Sequence, residues 1–133
     1  MLTNFLDPSQ CLPTTGSSVN LCTDGTATGD LRGAIGVQVA RISGNVFTNH
    51  HHWVTESGDT IFLNAADVTL FPTSDANRVL GDYVKGIEIM GGTGAFDGAT
   101  GKLTSVFGAG DLSLGQITLR YAGTVCFAHV PPP

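Results

Sequence analysis

His50, His51, His52 and Glu56 carry the densest chemistry in the chain. Side chains in an extended segment alternate between faces, so His50, His52 and Glu56 share one face and His51 takes the other. Imidazoles beside a carboxylate suit Fe, Mn, Ni or Zn. His51 instead shares its face with Phe47, Asn49 and Trp53. An apolar setting there would depress its pKa and keep the imidazole neutral, able to donate or accept a proton near neutrality. Glu88 is the second acid/base candidate. It sits in an apolar run with Val84, Gly86 and Met90 on its face and Tyr83, Ile87 and Ile89 on the other. A carboxylate buried in such a run needs a partner, Arg120 or Lys85, or a task. Burial would raise its pKa into the range of general acid/base work. Arg120 could equally hold an anionic group of a substrate.

The spacing of Gly44, His50, His52 and Glu56 is similar to the first half of a cupin metal motif. The pattern then fails: Leu63 stands where glycine is expected, and the second half, with its third histidine, is missing. No Ser-His-Asp order, phosphate loop or zinc-type cysteine pair is present. Six Lys and Arg without a cluster, against a net charge of −5, argue against nucleic acid and anionic membranes as partners.

Strand signals recur along the chain, and no segment repeats apolar residues at helical spacing. Strands are expected near Asn20–Thr26, Gly33–Ser43, Val46–Glu56, Asp59–Phe71, Val79–Met90, Leu103–Gly108 and Gln116–Phe127. Turns are expected at Gly44-Asn45, Ser57-Gly58 and Gly110-Asp111, the first two as two-residue hairpins. That register sets Trp53 opposite Phe62, His51 opposite Asn64 and Gln38, Asn49 opposite Ala66, and Phe47 opposite Val68. One face then gathers Trp53, Phe62, Phe47, Val68 and Ile42 with His51, Asn64, Asn49 and Gln38, a pattern suited to a ligand cavity. The other carries Ile35, Val37, Val39, Val54, Ile61 and Leu63 with His50, His52, Arg41 and Asp67, a packing surface suited to a subunit interface. A slip of one residue would reassign partners but keep the alternation within each strand.

Gly91, Gly92, Thr93, Gly94, Phe96, Gly98, Ala99 and Gly101 resemble the Gly-Gly-Thr-Gly-x-Phe-x-Gly-Ala-x-Gly turn of allene oxide cyclase-like barrels, an element plant dirigent proteins share. The flanking Ile87-Glu88-Ile89-Met90 and Lys102-Leu103-Thr104, and the Thr23-to-Gly33 region, fit as well. The resemblance implies a closed antiparallel β-barrel of about eight strands, often trimeric, with an apolar cavity. Activities known on that fold include cyclisation of oxygenated fatty acids, steering of phenoxy-radical coupling, spiro-ring formation and demethylation of the phenazine pyocyanin, none needing a metal or organic cofactor. The glycines themselves read as a structural turn.

One domain fits 133 residues, and a charged fraction of only 13% suggests an oligomer that covers part of its surface. An irregular segment is expected over 1–18, the barrel over 19–129 and a Pro-rich tail over 130–133. Met1 to Gln10 lacks the positive start and apolar run of a signal peptide. The first 20 residues nevertheless look like the mature start of an exported protein, so a secreted or periplasmic location is expected. Cys11, Cys22 and Cys126 leave open a Cys22–Cys126 bridge, a Cys11–Cys22 bridge, or three thiols.

These readings converge on a cofactor-independent enzyme, a cyclase or isomerase or a tautomerising demethylase, acting on a hydrophobic or aromatic small molecule. His51 and Glu88 are its proton-transfer candidates. Gln38, Phe47, Asn49, Trp53, Phe62, Asn64, Tyr83 and Arg120 are the residues expected to bind ligand. A non-catalytic lipocalin-like or dirigent-like binding protein is the alternative, and a cupin-like metal enzyme using His50, His52 and Glu56 the third. A homotrimer or homodimer is expected, without nucleic acid or membrane insertion.

Overall fold

A computed structural model describes residues 1–11 and 20–129. Expectations for 12–18 and 130–133 lie outside the described residues. Ten strands follow in chain order: β1 (Leu2–Phe5), β2 (Cys22–Ala27), β3 (Gly33–Ser43), β4 (Val46–Thr55), β5 (Thr60–Leu63), β6 (Ala66–Pro72), β7 (Arg78–Asp82), β8 (Ile87–Gly92), β9 (Thr100–Asp111) and β10 (Gln116–Cys126). All pairings are antiparallel. The chain is therefore all-β, as its strand rhythm predicts.

Pairing runs β10-β1-β2-β3-β4-β5-β8-β9 and returns through β9–β10, a ring of eight strands. The long strands β4 and β9 each pair with two short ones in succession: β4 with β5 and β6, β9 with β8 and β7. The segments expected as single strands over Asp59–Phe71 and Val79–Met90 are thus each broken in the middle. The first breaks at Asn64 and Ala65, the second at a turn where the Gly86 N–H donates to the Tyr83 carbonyl at 2.8 Å. The segment expected to be irregular supplies β1, which joins β10 to β2 and completes the ring. Four residues of β1 give too short an alternation to stand out in a sequence.

Register departs from the simple hairpins at two places. Ser43 pairs with Val46 and Ile42 with Phe47 as expected, but the ladder shifts between Val39 and Arg41, so Gln38 meets His50 and Ile35 meets Trp53. A bulge of this kind reverses which residues of a strand face inward. Ile35, Val37 and Val39 therefore share the inner face with His51, not the outer one, and Gln38 leaves it. The second departure is the β4–β5 turn. Three residues, Glu56, Ser57 and Gly58, intervene where two were expected, and the Thr55 N–H donates to the Asp59 carbonyl at 2.8 Å. Gly58 takes φ +90°, the left-handed position such a loop needs. Trp53 consequently pairs with Ile61 rather than Phe62. The break at Asn64 and Ala65 restores the expected pairs Asn49–Ala66 and Phe47–Val68.

The core lies on the inner face. Trp53, Ile61, Ile87, Leu103 and Val106 are its most buried large side chains. Each contributes roughly 1.5–3 kcal/mol over an exposed position. The glycine-rich stretch is the corner between β8 and β9. Thr93 Oγ1 accepts the Thr60 N–H at 2.8 Å, and the Asp59 carboxylate accepts the Ala95 N–H at 3.2 Å, tying this corner to the β4–β5 turn. Gly94, at φ +56°, lies so close to the Asp59 carboxylate that a Cβ would collide with it. Phe96 is buried there against Phe127, ring centroids 5.4 Å apart. Cys11 and Cys22 form a disulfide, and Cys126 is a free, exposed thiol.

Candidate functional site

Successive inward residues of β4, from one end of the ring to the other, are Trp53, His51, Asn49 and Phe47. Trp53 closes its end. Its Nε1 donates to the Leu31 carbonyl at 2.7 Å, and Tyr121 meets its ring edge-on at 5.1 Å. The Tyr121 hydroxyl accepts the Leu31 N–H at 3.1 Å and donates to the Thr28 carbonyl at 2.6 Å. The turn between β2 and β3 is thereby pinned over the tryptophan.

Beyond Asn49 the inner face opens into a cavity of about 490 Å³, within the range of small-molecule sites. Aliphatic side chains such as Val37, Val39, Val68, Leu70 and Ile117 make most of its wall, and Thr3, Thr23, Asn49 and Tyr83 are the polar ones. Among the described residues no charged side chain lines it. Part of the space exists because Gly81 and Gly110 present no side chain: a Cβ at Gly81 would press on Val68 at 3.3 Å, and one at Gly110 on Val79 at 3.2 Å.

The polar groups converge on the Tyr83 hydroxyl. Asn49 Nδ2 donates to it at 2.9 Å, and His51 Nε2 lies 2.9 Å from it, the two rings edge-on with centroids 5.3 Å apart. Asn49 and His51 come from β4 and Tyr83 from the turn after β7, more than 30 residues away. Tyr83 and Asn49 line the cavity; His51 stands behind Tyr83 and is not among the lining residues.

Burial sets the charge state of this trio. It pushes the His51 pKa down to about 4, assisted by the neighbouring His50 and His52. It pushes Tyr83 up to about 12, opposed by the hydrogen bond from Asn49. Imidazole and phenol are both neutral at pH 7. If Nε2 of His51 carries the proton, Tyr83 accepts from both neighbours and its own proton is free for a ligand oxygen. If Nδ1 carries it, Tyr83 donates to Nε2 and the chain runs from Asn49 to His51.

Among the described residues, three buried polar atoms here have no hydrogen-bond partner: Thr23 Oγ1, Asn49 Oδ1 and His51 Nδ1. Their residues are 5%, 6% and 7% exposed. Buried polar atoms are nearly always partnered in folded proteins, so each such exception needs an explanation. The Thr23 and Asn49 atoms belong to residues that line the cavity, and the His51 atom does not.

The structure gathers only part of the expected site. Phe47, Asn49, His51 and Tyr83 lie on the inner face, with Phe47 half-buried at the cavity. Trp53 faces inward but belongs to the closed end. Phe62 and Asn64 are corrections: the three-residue turn sends Phe62 outward, 50% exposed, and Asn64 is exposed at the strand break. Gln38 is a third, turned away from the cavity by the β3 bulge, although it stays buried with Nε2 donating to the Leu21 carbonyl at 3.4 Å. Glu88 is a fourth, exposed on the outer face opposite Lys102, so it never meets His51. Along β8 the expected alternation holds, Ile87 and Ile89 facing inward, and that same alternation carries Glu88 outward. Arg120 is exposed opposite Phe107.

His50, His52 and Glu56 are also exposed, and among the described residues no three His, Cys, Asp or Glu side chains gather as a metal site. Thr3 and Thr23 are the polar lining residues that the sequence leaves unmarked, each a threonine in a short strand. Comparison with protein-family models, curated proteins and solved structures finds no match for the chain.

Proposed function

We propose that the ring of strands closes as a barrel whose cavity takes a hydrophobic or aromatic small molecule, and that the protein acts on it by general acid/base chemistry. The cyclase, isomerase and tautomerising demethylase activities implied by the allene oxide cyclase-like resemblance are all of this kind. The reading invokes no metal and no organic cofactor. One observation carries it: Tyr83, whose hydroxyl is flanked by Asn49 and His51 at 2.9 Å each, lines a mostly apolar cavity. In this reading Tyr83 is the catalytic residue. It places a proton on a ligand oxygen where negative charge develops, and the dry surroundings strengthen that hydrogen bond. His51 and Asn49 are positioning residues that orient and polarise the phenol.

Tyr83→Phe tests this. Turnover of a bound ligand falls ~100-fold or more, the usual worth of a positioned acid or base, while affinity changes only a few-fold. Unchanged turnover in the variant would overturn the enzyme reading. A binding protein without its own chemistry is the second reading. It is favoured by the pKa values of about 4 for His51 and about 12 for Tyr83, since neither group titrates near neutrality. An exported location agrees with the Cys11–Cys22 disulfide, because such bonds persist in oxidising compartments.

A further inference from the structure

Gly81 and Gly110 sit inside β7 and β9 and line the cavity. Glycine in the interior of a strand weakens it, so its presence there calls for a reason. Backbone geometry does not supply one, for neither residue has a positive φ. Within 4 Å, a Cβ on Gly81 would meet only the Val68 and Leu70 methyls, at 3.3 and 3.5 Å. One on Gly110 would meet the Val79 methyl at 3.2 Å, with Gln116 O and Ile117 no nearer than 3.9 Å. Val68, Leu70 and Val79 border the cavity, so each has space to give way. Gly108 differs: a Cβ there would collide with the Thr118 carbonyl, so the fold itself requires glycine at that position.

Gly81 pairs with Gly108, and Gly110 with Val79, across β7 and β9. Three of these four residues carry no side chain, so a strip of bare backbone of about 5 by 7 Å forms part of the cavity wall. Tyr83 follows Gly81 by two residues and lines the same cavity. We propose that this strip is a subsite for the face of a flat, uncharged ring system, with Gly81 and Gly110 as the specificity-determining residues that keep side chains out of its way. This rests on the cavity being the ligand site. A flat ring makes dispersion contact over the whole strip, whereas a puckered ring or an acyl chain reaches it at a few points and loses much of each contact to the gap. The ring is uncharged because, among the described residues, no charged side chain lines the wall to pair with an ion, and an unpaired buried charge is strongly disfavoured. The subsite thereby selects rings over acyl chains among the hydrophobic ligands that the cavity admits.

Isothermal titration calorimetry of the full chain at pH 7 with 2-naphthol and decahydro-2-naphthol tests the proposal. Both are un-ionised at that pH and share one carbon skeleton and one hydroxyl, but only the first is flat. 2-Naphthol is expected to bind at least ~10-fold more tightly. Gly81→Ala and Gly110→Ala each lower its affinity ~10-fold or more, because the added methyl lifts the ring from the strip, and change that of decahydro-2-naphthol by less than ~3-fold. Melting temperatures of both variants stay level or rise, since alanine costs a strand interior less than glycine does. Equal binding of the two probes by the unaltered protein, or unchanged 2-naphthol affinity in either variant, overturns the ring subsite and leaves the cavity as a binding site. A lower melting temperature in either variant assigns that glycine to the fold and overturns the subsite too. Failure of both probes to bind removes the ligand cavity itself, and the inference with it.

Discussion

The two ends of β4 bury aromatic and polar side chains in the same way and resolve them differently. At the Trp53 end every donor and acceptor of the tryptophan and of Tyr121 has a backbone partner, at 2.6 to 3.1 Å. At the Asn49 end, two inward positions beyond Trp53 on the same strand, three polar atoms have none. A hydrogen-bonded tryptophan over a pinned turn needs nothing further and is a plug. At the Asn49 end a phenol held by two neighbours borders an apolar space, and buried oxygens of Thr23 and Asn49 keep no partner. Exposure alone would not separate them, for Trp53 is 1% and Asn49 6% exposed. Hydrogen-bond satisfaction does.

The contrast breaks first at the plug. Trp53→Ala removes a fully buried indole and its bond to Leu31, and unfolding free energy is expected to fall by ~3–5 kcal/mol in denaturant titration. A loss below ~1 kcal/mol would mean that the closed end is not what holds the ring.

Acid probes the other end. Above pH 6.5 the His51 imidazole is neutral in folded and unfolded chains alike, so it adds no pH dependence. Below pH 6.5 the unfolded chain takes up a proton that the folded one refuses until about pH 4. Stability therefore falls as pH drops through this window, by about 3 kcal/mol from this residue. His51→Gln should flatten that slope between pH 6.5 and 4, and an unchanged slope would refute burial as the control on His51.

A matched pair of small deletions sharpens the comparison. Tyr121→Phe leaves the Leu31 N–H without its acceptor and the Thr28 carbonyl without its donor, and should cost ~1–2 kcal/mol. Thr23→Val deletes a hydroxyl that bonds to nothing and should cost nothing, or raise stability by up to ~1 kcal/mol. Equal losses in thermal melts would erase the distinction between satisfied and unsatisfied ends.

Much of this was legible in the chain. Phe47, Asn49, His51 and Trp53 share a face because they are two apart in an unbroken strand, and no distant contact can change that. The same rule sent His50 and His52 outward and grouped Ile87 with Ile89. What failed were statements about residues on different strands. Two-residue hairpin ladders predict Phe62 opposite Trp53, and Asn64 and Gln38 opposite His51. One added turn residue, one strand break and one bulge moved them elsewhere. Glu88 failed for another reason: an apolar neighbourhood in sequence was taken for burial, while the outer face of β8 leaves Met90 59% exposed as well.

The sequence by itself determined the all-β class, the alternation within each strand and the inward set on β4, because a pleated backbone fixes side-chain direction every second residue. Tertiary structure alone decided that Tyr83 closes on Asn49 and His51 across more than 30 residues, and that Thr23 lines the same cavity from a strand two away from theirs. Those placements depend on register. A bulge or a single extra turn residue shifts register by one position, and both cost too little local energy to leave a clear mark in the order of the amino acids.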